Sequence, residues 1–130
     1  MKRAFLIAIV TVLTIAALYS CSKKTDNNNS TSRKIKYEIT GTFSGKLNIV
    51  YNDNVNGNTT LTNITLPWTK EINYGSNVMA IGIGAQANTT GITGQTATLK
   101  IYSGGVVVKT STATAGSLGE ILIPTTTYQF

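Results

Sequence analysis

From Ile35 onward apolar residues recur at every second position, and that period restricts the chain to strands. Ile35, Tyr37 and Ile39 alternate with Lys36, Glu38 and Thr40, and Leu47, Ile49 and Tyr51 alternate with Lys46 and Asn48. This is the pattern of strands with one buried face and one wet face. Gly41 to Gly45 (GTFSG) connects the first two runs. Asn56-Gly57 within NDNVNGN reads as a hairpin turn, because both residues tolerate the positive φ that such turns require.

Further strand signals run from Thr59 to Leu66, Trp68 to Asn73, Val78 to Ala87, Thr96 to Tyr102, Val106 to Thr112 and Leu118 to Ile123. Gly and Asn interrupt them at 74–77, 88–94, 104–105 and 115–116. Seven or eight strands with a turn every ~8 to 12 residues predict an all-β antiparallel sandwich, since so small a sheet buries one face only by packing on another. Gly82 and Gly84 lie inside a strand pattern with no helix after them, so they mark a bulge or a close backbone approach and not a phosphate loop. The 22 threonines suit a pleated surface. Residues 35–130 are expected to form one domain that buries ~60 to 65% of its unfolded surface, enough for a single core.

The N-terminus has a different logic. Lys2 and Arg3 precede an uncharged, nearly all-apolar run of 15 residues from Ala4 to Leu18. A bilayer span takes ~20 such residues, so this run reads as the core of a signal peptide. Leu18-Tyr19-Ser20-Cys21 fits a lipobox, which predicts a type II signal peptide over residues 1–20, with cleavage before Cys21 and lipid on its sulfur. Cys21 is the only cysteine, so no intramolecular disulfide is possible, and lipidation gives a lone exported thiol its purpose. Two or more acyl chains, at ~0.8 kcal/mol per buried CH₂, hold a protein stably where one chain would not. Residues 21–34 form the expected tether, since Ser22 to Lys34 has no aliphatic or aromatic side chain to bury. With a root-mean-square span of ~5 to 6 Å times the square root of its length, it keeps the domain close to the membrane. Ser22 in place of an aspartate after the cysteine points to the outer membrane rather than the inner one, and Lys23-Lys24 to the periplasmic face.

Charge excludes one class of partner. The precursor carries +6, but loss of Lys2 and Arg3 leaves +4, of which Lys23, Lys24, Arg33 and Lys34 against Asp26 place +3 on the tether. The domain keeps five lysines against Glu38, Asp53, Glu71 and Glu120, a net +1, and lacks the basic stripe of a nucleic-acid binder.

Catalytic chemistry is equally sparse. The chain has no histidine and its cysteine is assigned to lipid, which removes Ser/His/Asp and Cys/His nucleophilic systems and His or Cys metal sites. The four domain carboxylates each stand alone among strand or turn residues, so no glycosidase-like pair is expected. Asn52-Asp53-Asn54 with Asn56 and Asn58 superficially resembles a calcium loop but holds one carboxylate and the hairpin signal, so it reads as a turn. Neither enzymatic activity nor a cofactor is expected. Trp68 follows Pro67, which places it at a sheet edge or strand crossing, where it either caps the core or stacks on a sugar beside Asn63 and Lys70.

The series Tyr37-Glu38-Ile39-Thr40-Gly41, Leu47 to Tyr51, Ile64-Thr65-Leu66-Pro67-Trp68-Thr69-Lys70, Ala85 to Asn88, Ala97 to Ile101 and Gly105 to Val108 resembles the exported domain of the MmpS (mycobacterial membrane protein, small) family. The resemblance spans roughly residues 35–115 and is most specific at Leu-Pro-Trp-Thr-Lys. It implies an Ig-like sandwich that serves as accessory to a resistance-nodulation-division type exporter, and it brings no catalytic residues. The chain departs from the family in carrying Cys21, where family members keep an uncleaved N-terminal helix, and in lacking cysteines late in the domain. The expected function is therefore a lipid-anchored, non-enzymatic envelope module that binds an envelope protein through its strand edges or its Trp68 end. The alternative is a small-molecule or glycan-binding lipoprotein.

Overall fold

A computed structural model of the chain describes residues 32–54 and 56–130. The expected signal peptide, Cys21 and most of the expected tether lie outside the described residues. Eight strands follow in order: β1 (Lys34–Gly41), β2 (Leu47–Asn52), β3 (Asn58–Ile64), β4 (Trp68–Asn73), β5 (Ala80–Ala87), β6 (Thr96–Ser103), β7 (Val106–Thr114) and β8 (Leu122–Gln129). They form two four-stranded antiparallel sheets of order β4-β1-β6-β7 and β3-β2-β5-β8. The expected sandwich is thus present, with no helix among the described residues. Only β2–β3 and β6–β7 are hairpins; every other connection crosses between the sheets.

The period-two pattern sets the core. Ile35, Tyr37 and Ile39 of β1, Leu47 and Ile49 of β2, and Leu99 and Ile101 of β6 are fully buried between the sheets. The turn at 53–57 has Gly57 at φ 72°. The Asp53 carboxylate accepts hydrogen bonds from the Asn56 backbone N–H and the Thr59 hydroxyl, so it braces the turn as an Asx residue does.

Several expected strand bounds change, among them the start of β5, which is Ala80 and not Val78. The segment read as a strand from Leu118 to Ile123 is a loop as far as Ile121, and β8 instead runs to Gln129, taking in the unassigned chain end. Pro124 is tolerated because β8 is an edge strand and the proline sits where its register with β5 shifts, between Ile83 and Ala85. Gly84 lies at that shift, and a Cβ there would stand 3.3 Å from the Thr125 Cα, the close approach expected of the β5 glycines. The strand read to Leu66 ends at Ile64, just past Asn63, whose φ of 60° leaves the strand conformation.

The folded unit also reaches back into the residues assigned to the tether. Lys34 opens β1, and the Ser32 carbonyl accepts from the Ser103 hydroxyl at 2.6 Å. The Arg33 guanidinium donates to the carbonyls of Gly75 (2.7 Å) and Val78 (2.8 Å) and lies 4.6 Å from the centroid of the Phe130 ring. The chain therefore enters the sandwich at the end that holds the 74–79 loop, the β6–β7 hairpin and the C-terminal residue.

Candidate functional site

The structure does not bring together the three side chains singled out as a possible binding site. Trp68 opens the edge strand β4 after a cis Leu66–Pro67 bond and packs half-buried against the core, its ring 6.0 Å from that of Tyr51. It acts as a cap on the core. Asn63 lies on the other sheet, where its side-chain carbonyl accepts from the Asn88 amide at 2.7 Å. Lys70 is exposed and lines a shallow cavity of about 280 Å³ with Tyr51, Asp53, Asn54, Glu71 and Ile72, to which neither Trp68 nor Asn63 contributes.

The strand charges are sorted by sheet. Lys34, Lys36 and Glu38 of β1, Lys70 and Glu71 of β4, Lys100 of β6 and Lys109 of β7 all belong to the β4-β1-β6-β7 sheet. β2, β3, β5 and β8 carry no charged residue. The carboxylates read as isolated are partly joined by register, because Lys36 pairs with Glu71 across β1 and β4 while Glu38 pairs with Lys100 across β1 and β6. Lys36 donates to Glu38 at 2.9 Å, the Tyr102 hydroxyl donates to the other carboxylate oxygen at 2.7 Å, and the Lys36 ammonium sits 4.0 Å from the Tyr102 ring centroid. Lys34 and Glu71 are 3.4 Å apart and exposed, a pair of little energetic weight.

The Tyr102 hydroxyl and then Lys36 hold the Glu38 carboxyl below the usual glutamate range. A carboxyl depressed in the folded state stabilises above its unfolded pKa and loses that stability as pH falls through the folded value. Glu38→Gln should therefore flatten the acid limb. In thermal melts taken from pH 7 to pH 3, the wild type is expected to lose more of its melting temperature than the variant, and parallel curves would refute the assignment.

The outer face of the uncharged sheet has a different surface. On β5 the outward positions include Gly82 and Gly84, so the centre of the sheet is a channel floored by backbone. Asn48, Val50 and Asn52 of β2 wall one side, and Leu122, Thr125 and Thr127 of β8 the other. Adjoining strands lie ~4.8 Å apart, which makes the channel roughly 10 Å across. It holds two adjoining cavities of about 290 and 350 Å³ that share Val50 and Thr125. Val50 is 44% exposed and Leu122 66% exposed, so the walls offer aliphatic surface to solvent. Asn48 donates its amide to Asn88 and leaves its own carbonyl oxygen without a hydrogen-bond partner among the described residues.

The sequence signal for this face is that residues 47–52, 58–64, 80–87 and 122–129 hold no charged side chain, although the last segment read as a strand, Leu118 to Ile123, includes Glu120. That these four pair into one sheet could not be known without the topology. Chemically the face is a neutral, partly apolar recess lined by amide, hydroxyl and aliphatic side chains. Among the described residues no three His, Cys, Asp or Glu side chains come together as metal ligands.

The architecture is that of a small β-sandwich of two four-stranded antiparallel sheets. The family model described as "Mycobacterium membrane protein" matches residues 1–115, and the chain belongs to that family. Membership extends to the N-terminal segment and places the protein at the membrane, in an envelope-associated role. No curated protein matches the chain.

Proposed function

We propose that the protein is a lipid-anchored, non-enzymatic interaction module of the cell envelope, which presents the outer face of its uncharged sheet to a membrane-embedded protein partner. The observation that carries this reading is the sorting of charge, with every strand charge on one sheet and none on the other. Interface centres are depleted of charge because desolvating an unpaired ion costs more than the contact returns. The neutral face with its aliphatic walls fits that requirement, whereas the opposite face suits water. Family membership and the resemblance to accessory domains of resistance-nodulation-division transporters favour such a transporter or an envelope assembly as the partner. Lipid on Cys21 supplies the anchor, with the outer membrane and its periplasmic face as the location.

The test places a photo-crosslinking residue at position 50 in the full-length protein in its native membrane. The expected result is a crosslink to a transporter subunit that Leu122→Lys abolishes and Glu71→Gln leaves intact. Palmitate labelling is expected to disappear in Cys21→Ala. A crosslink pattern unchanged by Leu122→Lys would remove the neutral face from the interface.

A further inference from the structure

Among the described residues the two sheets end in the edge strands β4, β7, β3 and β8. An edge strand leaves a row of backbone N–H and C=O groups unpaired, open to a further strand. Three of these edges are blocked. β8 carries Pro124, which has no N–H to give. Register sets Lys70 of β4 opposite Tyr37 and Lys109 of β7 opposite Ile101, and both partners are fully buried. Each lysine therefore stands on the core-facing side of its edge strand, where an added strand would desolvate an ammonium group. β7 also lies against β8, which closes that flank of the sandwich.

The fourth edge, β3, has none of these features. It reads Asn58-Thr59-Thr60-Leu61-Thr62-Asn63-Ile64, without charge or proline, and none of its residues is buried. The Asp53 N–H donates to the Gly57 carbonyl at 2.7 Å, and the register runs on through Tyr51 with Thr59 and Ile49 with Leu61. In an antiparallel pair every second residue turns its backbone groups to the partner, so Thr59 and Leu61 face β2 while Asn58, Thr60 and Thr62 face the open edge. The run stops at Asn63, at φ 60°, because β3 holds one residue more than β2 between the Ile49–Leu61 and Leu47–Ile64 pairs. The regular edge is thus residues 58–62, with Thr60 at its centre.

That stretch is its own complement. Turned about a two-fold axis at Thr60, a second copy sets Thr60 opposite Thr60, Asn58 opposite Thr62 and Thr59 opposite Leu61, with about six backbone hydrogen bonds. No like charges meet, whereas two-fold pairing of β4 about its middle residues sets Lys70 against Lys70 or Glu71 against Glu71. We infer that two copies of the protein pair antiparallel through β3, joining their β3-β2-β5-β8 sheets into one of eight strands. A two-fold contact is the commonest way in which identical chains associate. Five residues a side make a short contact, and the membrane on which the family places the protein supplies the local concentration it needs. Edge pairing leaves the outer face of the sheet open, so the inference does not depend on what that face binds.

The experiment co-expresses two differently tagged full-length copies and measures how much of one co-purifies with the other from solubilised membranes. Thr60 is exposed, so its substitution should leave the melting temperature of the single domain nearly unchanged. Thr60→Lys in both copies sets two ammonium groups opposite each other and should cut co-purification about fivefold, as should Thr60→Glu in both. One copy of each should restore the wild-type level, an outcome that requires residue 60 to face residue 60. On mild oxidation Thr60→Cys should give a covalent dimer that the parent, with Cys21 alone, does not, because paired Cα atoms ~5.5 Å apart suit a disulfide. Leu122→Lys, on the far edge, should change nothing. No recovery in the mixed Lys/Glu pair, no dimer from Thr60→Cys above the parent, or an equal loss with Leu122→Lys would each overturn the pairing. A covalent product with a different protein would give the edge to a foreign strand and overturn the second copy as its occupant.

Discussion

Leu99→Ala is expected to lower the stability of the purified protein by about 2 to 5 kcal/mol, while Leu122→Ala changes it by no more than about 0.5 kcal/mol. The two substitutions remove the same atoms from strands of opposite sheets. Leu99 lies on β6, a central strand, and has no exposed surface, so its truncation forfeits buried contact and leaves a cavity that packed neighbours fill only in part. Leu122 is 66% exposed on the outer face of an edge strand, and water already covers most of what alanine would uncover. A domain of this size has a total stability of roughly 5 to 15 kcal/mol, so the Leu99 loss is a large fraction of the whole. At about 4 to 8 °C per kcal/mol, the melting temperature should fall by ten degrees or more in Leu99→Ala and barely move in Leu122→Ala. Comparable losses in the two variants would mean that Leu122 is covered in the protein as it exists in solution, and that the neutral sheet is not free to meet a partner.

The contrast between Leu99 and Leu122 also shows what a single sequence can and cannot disclose. Period-two alternation identified Ile35, Tyr37, Ile39, Leu47 and Ile49 as core, because strand geometry sends alternate side chains to opposite faces whatever the partner strand is. The turn at Gly57 and the close approach at Gly84 were readable for a similar reason, since glycine's conformational and steric latitude acts locally. Properties that depend on which strands pair were not readable. Glu38 looked isolated because Tyr102 and Lys100 reach it only through the β1–β6 register. The neutral face was invisible because β2, β3, β5 and β8 are scattered along the chain. Leu118 to Ile123 has the apolar density of a strand, yet Leu118 is held out in the tip by bonds to a loop more than twenty residues earlier, and the true last strand is the threonine-rich segment after it. Trp68, read as either core or sugar platform, packs half-buried beside Tyr51 of the facing sheet, a contact that only the strand pairing sets. Long-range pairing, not local preference, decided each of these.

The second large effect concerns the hydroxyl chain that joins the sheets. The Tyr37 and Tyr74 hydroxyl oxygens are 2.8 Å apart, and Tyr74 donates to the backbone carbonyl of Asn52. Tyr74's proton is thereby committed, so Tyr37 donates to Tyr74. The chain runs from β1 in one sheet to β2 in the other across the buried interior. Burial raises the pKa of both phenols, so both are neutral donors across the working pH range. Direction makes the two substitutions unequal. Tyr37→Phe removes one bond and leaves Tyr74 paired with Asn52, at a cost of about 1 kcal/mol. Tyr74→Phe leaves the fully buried Tyr37 hydroxyl without an acceptor and takes a donor from the Asn52 carbonyl, at a cost of about 2 to 3 kcal/mol. The ring itself should stay in place, since Phe130 packs against it at 5.7 Å between centroids. Adding Tyr37→Phe to Tyr74→Phe then removes the stranded hydroxyl, so the double variant should be no less stable than Tyr74→Phe alone, with a coupling of about 1 kcal/mol or more. Urea unfolding of the three variants measures all of this. A Tyr37→Phe loss larger than that of Tyr74→Phe would reverse the donor direction, and strictly additive losses would mean that the two hydroxyls do not share a proton path between the sheets.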